Sequence, residues 1–155
     1  MDGCSRAPGS WLPAGARPRH ADQVRGTLLF DGRCGFCTRS VGWLARLDRH
    51  HRVTAIPNQS PGAAERYRLT PARLAESVWW IGLDGVPRSG AEAVNHALAA
   101  ALGTRLPVLL YLRVPGMRRL QEAVYRWVAA NRHRLPGTTP WCTRHPADCA
   151  APSAG

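Results

Sequence analysis

Two cysteines stand two residues apart in the run Asp31-Gly32-Arg33-Cys34-Gly35-Phe36-Cys37. Such a pair can exchange with disulfides, form half of a metal site, or pack as two inert thiols. Its neighbours favour the first. Thr27-Leu28-Leu29-Phe30 ahead of it reads as a short buried strand, and Val41, Leu44 and Leu47 after it recur at helical spacing. That pattern predicts a helix from near Cys34 to about Arg49. Cys34 then sits at a helix N-terminus, where unpaired N–H groups and the helix dipole favour negative charge, and Arg33 adds to the effect. A thiol with a pKa of about 8.5 is only about 3% thiolate at pH 7, whereas a pKa near 7 gives about half. The difference is about 2 kcal/mol, within reach of a dipole and a nearby cation together. The expected division of labour has Cys34 attacking a disulfide and Cys37, one turn in, resolving the mixed disulfide.

Asp31 admits two readings. Its carboxylate can take or return the proton of Cys37 during resolution, or it can serve as a turn or capping residue in Asp-Gly. A rival for the whole constellation is zinc: Cys34 and Cys37 together with Cys142, His145 or Cys149, whose C-x-x-H-x-x-x-C spacing is locally plausible. Cys142 and Cys149 can instead form a second disulfide or simply sit in a loose tail. A third alternative is a non-enzymatic binding module with a basic face and a redox-inert pair.

The elements that must position the dithiol follow in order. Val53-Thr54-Ala55-Ile56 is a second strand, parallel to the first through a right-handed crossover. Ser60-Pro61 and Thr70-Pro71 are helix-start signals, giving one broken helix or two short ones over 61–76. Val78-Trp79-Trp80-Ile81 is a third strand. Asp84-Gly85 turns the chain back through Val86, and Pro87 confines the fourth strand to an edge. Ser89-Gly90-Ala91-Glu92 has capping-box spacing ahead of a helix with Val94, Leu98 and Ala101 as its apolar stripe, stopped at Gly103. A short helix over 107–113 and a longer one over 116–134 complete the chain. Met117, Leu120, Val124, Trp127 and Val128 line one face of the latter, which reads as ordinary core periodicity rather than a binding surface.

This order is that of an α/β, thioredoxin-like core: a central mixed four-stranded sheet with flanking helices and extra C-terminal helices. The expected organisation is a disordered leader over 1–25, a domain over 26–135 and an irregular tail over 136–155. With 155 residues the chain can bury one real core without staples. All 21 basic residues are arginine and the net charge is +11, concentrated around the dithiol helix and the C-terminal helices. No zinc-finger spacing or RNA-recognition signature accompanies that charge, so it reads as a solvated face with no specific nucleic-acid partner. The leader, which holds Cys4, lacks an apolar stretch of signal-peptide length, and no run is long enough to span a bilayer. A cytoplasmic protein is expected. In a reducing compartment, five cysteines point to catalysis or metal binding rather than a disulfide framework.

The sequence resembles the DCC family of thiol–disulfide oxidoreductases, known by its Asp-x-x-Cys-x-x-Cys motif. The matching residues are Leu29 to Cys37, Asn58-Gln59-Ser60, Ser89-Gly90-Ala91-Glu92-Ala93, and Tyr125 to Arg132, spanning about 27–135. The resemblance implies a thioredoxin-like fold and protein-disulfide oxidoreductase activity without an organic cofactor, with Asp31, Cys34 and Cys37 as the marked positions. The implied partners are protein disulfides and an unidentified reductant. One departure stands out. Thioredoxins carry a cis-proline just before the strand that faces the dithiol, where Ala75-Glu76-Ser77 stand here.

Overall fold

The computed structural model of the chain describes residues 25–150, so nearly all of the expected leader lies outside the described residues. Strand β1 (Gly26–Phe30) leads into helix α1 (Gly35–Leu47), and β2 (Val53–Pro57) returns parallel to β1. Two short helices, α2 (Ala63–Tyr67) and α3 (Pro71–Glu76), precede the hairpin of β3 (Trp79–Gly82) and β4 (Pro87–Ser89). The sheet order is β2-β1-β3-β4, with β3 antiparallel to both neighbours and Pro87 on the edge strand. Helices α4 (Gly90–Leu102), α5 (Leu106–Arg113) and α6 (Met117–Asn131) follow, then a single turn, α7 (Trp141–Arg144), and a 3-10 turn over Pro146–Asp148. This is the mixed four-stranded sheet with flanking helices of a thioredoxin-like fold.

Strand alternation splits the core into two layers. Leu28 and its cross-strand partner Trp80 face α1 and α4, meeting Leu44 and the alanines 93, 97, 100 and 101. Leu29 and its partner Trp79 face α2 and α3, meeting Ala63, Leu69 and Leu74. Asp48 ends α1 ahead of the expected Arg49. Its carboxylate accepts the backbone N–H groups of Arg52 (2.9 Å) and Val53 (2.8 Å), turning the chain into β2. Gly103 closes α4 in the left-handed region with φ 67°, where a side chain would be strained.

Three expectations require correction. Ser89 occupies the N-cap of α4 but makes no side-chain cap bond, and Glu92 approaches Arg88 (3.6 Å) instead of completing a capping box. Of the expected α4 stripe, Ala101 is buried and Leu98 packs partly buried against the core, but Val94 is exposed. Ala93, Ala97 and Ala100 supply the rest of the buried face, because small residues let α1, the sheet and α5 approach closely. The largest difference is in α6, where no residue is fully buried. Leu120, Val124 and Trp127, assigned to a core face, are 59%, 53% and 60% exposed. The helix is anchored by polar groups. Gln121 accepts from buried Asn95 on α4 (2.6 Å), Glu122 accepts from the hydroxyl of buried Tyr111 on α5 (2.7 Å), and Tyr125 bonds Ser77 and Val78.

Candidate active site

Strand β1 delivers the chain to a tight turn, in which the Cys34 N–H donates to the Asp31 carbonyl (3.2 Å) and the Arg33 N–H to Asp31 Oδ1 (3.0 Å). Cys34 is the N-cap residue of α1, with extended backbone at φ −96° and ψ 119°. Its sulfur accepts the Cys37 backbone N–H at 3.2 Å, the position ordinarily taken by a serine, threonine or aspartate oxygen. Cys34 and Cys37 are free thiols, with no disulfide between them, and both are half-buried. Burial pushes the Cys37 thiol up to about 12, helped by its hydrogen bond and proximity to Cys34 and by Asp31, while Arg132 opposes the shift. Cys37 is therefore a protonated thiol at neutral pH.

Asp31 is the hub of the surrounding polar groups. Its Oδ1 also accepts the side-chain amide of Gln59 (3.0 Å), and its Oδ2 lies 3.3 Å from the Arg132 guanidinium at the end of α6. Gln59 in turn accepts the Gly32 N–H (3.0 Å). The structure thus joins Asp31, Cys34 and Cys37 in one cluster and adds Gln59 and Arg132. Both additions lie in stretches that carry the family resemblance, but spacing alone gave neither a partner nearby in sequence.

The segment after α6 docks on this turn. The Thr138 N–H donates to the Gly35 carbonyl (3.1 Å), and the Thr138 carbonyl lies where a β-carbon on Gly35 would project, so the approach requires glycine there. The Trp141 N–H donates to Thr38 Oγ1 (3.0 Å), the Cys142 N–H to the Gly32 carbonyl (3.0 Å), and the Ala150 N–H to the Gln59 carbonyl (2.7 Å). Cys142 and Cys149 form a disulfide that closes this segment into a loop. The zinc alternative is overturned by that bond, because two of its donor sulfurs are consumed. His145 is exposed and stacks on Trp141 at 4.3 Å between ring centres. No group of three or more potential donor side chains gathers among the described residues.

At the cis-proline position of thioredoxins, Ser77 contributes no cis bond; none occurs among the described residues. Ser77 Oγ is 2.9 Å from the Tyr125 hydroxyl and accepts the Gly90 N–H (3.1 Å). The Val78 N–H donates to the same tyrosine hydroxyl (3.0 Å). The main-chain donor at the head of β3 is satisfied from within the chain.

Between α1, α4 and α6 runs an apolar groove of about 620 Å³. Trp43, Leu47, Leu98, Leu120 and Val124 line its length, and Phe36 and Cys37 form part of one end. Among the described residues, Asp31 and Arg132 are the only charged ones lining it, and they pair with each other. Among the described residues no helix is long and apolar enough to cross a membrane.

A family model described as DCC1-like thiol-disulfide oxidoreductase matches residues 28–138, most of the chain. No curated protein and no solved structure matches it.

Proposed function

This chain belongs to the DCC1-like thiol-disulfide oxidoreductase family, and we propose that it exchanges electrons with protein disulfides through the Cys34–Cys37 dithiol, Cys34 attacking and Cys37 resolving. The observation that carries the assignment of roles is the asymmetry of the two thiols. Cys34 occupies the N-cap, its sulfur turned to a helix N-terminus that favours negative charge. Cys37 lies one turn in, held protonated by burial. The Cys34 thiolate attacks one sulfur of the substrate disulfide and expels the other as a thiolate. Cys37 then gives up its proton and displaces the bound sulfur, leaving a reduced substrate and a Cys34–Cys37 disulfide. A cellular thiol reductant returns two electrons to the pair.

We assign Asp31 to the proton that leaves Cys37, with Arg132 and Gln59 fixing its carboxylate. The proposed working unit is the thioredoxin-like domain over 26–135 with the segment that follows docked on its active-site turn. The test is a pair of variants reacted with a disulfide-bonded peptide. Cys37→Ser should accumulate a covalent protein–peptide mixed disulfide visible by mass spectrometry, whereas Cys34→Ser should form none. A Cys34→Ser protein that reduces the peptide at the parent rate would remove Cys34 from the mechanism.

A further inference from the structure

The exchange chemistry uses the rim of the apolar groove but leaves its length unexplained. We propose that the groove is the docking site for a substrate polypeptide segment that carries apolar side chains beside its disulfide. This inference rests on the dithiol reading above and names the class of substrate the dithiol serves.

Continuity with the active site comes first. Phe36 and Cys37 form part of one end of the groove, and the Cys34 sulfur lies 3.2 Å from the Cys37 amide nitrogen, so an occupant of the groove meets the dithiol there. The chemistry of the walls comes second. Asp31 and Arg132 neutralise each other, and the remaining lining is dominated by aliphatic and aromatic side chains, against which a charged occupant would lose its hydration without a partner. The volume, about 620 Å³, lies within the roughly 300–1,000 Å³ of clefts that bind ligands. The Val78 N–H, bonded to Tyr125, is not free for strand-like pairing, so recognition at this edge falls to apolar side chains. A concave trough between three helices takes inserted side chains, which a flat bilayer surface does not supply.

The experiment compares two peptides, each closed by one disulfide, differing only in whether leucine or serine flanks the cysteines. With a thiol reductant regenerating the Cys34–Cys37 dithiol, the parent protein should show a lower KM for the leucine peptide. Leu120→Glu, at an exposed position whose replacement leaves the core intact, should cut that preference roughly tenfold by charging the groove. Leu112→Glu, on an equally exposed residue of α5 outside the groove, should leave it unchanged. Equal preference in the parent and Leu120→Glu proteins overturns the docking proposal while the dithiol reading stands. Failure of the parent to reduce either peptide overturns both. Two further outcomes also overturn the docking proposal by assigning the groove elsewhere. One is a dimer in sedimentation that Leu120→Glu dissociates. The other is binding to phosphatidylglycerol vesicles that the same substitution abolishes.

Discussion

Arg132 reaches Asp31 from the end of α6, and its charge lowers the Cys37 thiol against burial, Cys34 and Asp31. Arg132→Gln should therefore leave the first attack by Cys34 largely intact and slow the resolving step. Stopped-flow measurement should show a longer-lived mixed disulfide, its decay accelerating with pH as Cys37 deprotonates. Asp31→Asn keeps an acceptor for the Arg33 N–H but cannot take a proton. If Asp31 handles the Cys37 proton, the lifetime should rise roughly a hundredfold or more near neutral pH; an unchanged lifetime would reduce Asp31 to a turn residue.

A third residue carries pH into stability. His96 on α4 is held down to about 4 from an ordinary 6.5, chiefly by burial, with Arg88 and Arg105 adding repulsion and Asp84 opposing. Because the folded form binds its proton less readily than the unfolded chain, the contribution is full above about pH 6.5 and fades as pH falls toward 4. The shift alone would be worth about 3 kcal/mol, and partial exposure reduces it to roughly 1–2. Urea melts at pH 7 and 4.5 should show that loss in the parent, and His96→Gln should flatten it.

At the scale of elements, the dithiol hairpin of strand, turn and helix is plain from residue types, because β1, α1 and β2 obey local rules. Their strand runs, the proline that ends β2 and the cap position of Cys34 agree with one another. The sense of α6 is not readable that way. Its sequence is amphipathic, and amphipathicity ordinarily aims the apolar side inward. Here Gln121, Glu122 and Tyr125 find partners on α4, α5 and the head of β3, partners fixed only by the tertiary fold. Their bonds hold the helix with Trp127 exposed and with Leu120 and Val124 facing an open groove instead of a packed core. Tyr125→Phe should expose the cost of that arrangement, leaving the Val78 N–H and Ser77 hydroxyl without their partner. Chemical denaturation should show a loss of about 1–3 kcal/mol.

Across the whole molecule, the active-site turn is shared between distant parts of the chain. Residues 31–37 provide the chemistry, and the loop closed by Cys142 and Cys149 covers its flank. The sequence shows the two cysteines and their spacing, but disulfide and metal readings have the same composition, and only the fold brings the sulfurs together. Replacing both cysteines by serine removes a short-loop constraint worth roughly 2–3 kcal/mol. Hydrogen exchange should then accelerate at Cys142, Thr138 and Trp141, whose N–H groups bind the turn and α1, while the amides of β1 stay protected.

That sharing also has a consequence in time. A chain is made from its N-terminus, and the bond from Trp141 to Thr38 spans 103 residues. When Cys34 and Cys37 emerge during synthesis, the segment that will cover them has yet to be translated. At about 5–20 residues per second, that interval is roughly 5–20 seconds. The dithiol therefore exists as chemistry before it exists as a site, and its earliest encounters are with whatever the nascent chain meets on the ribosome.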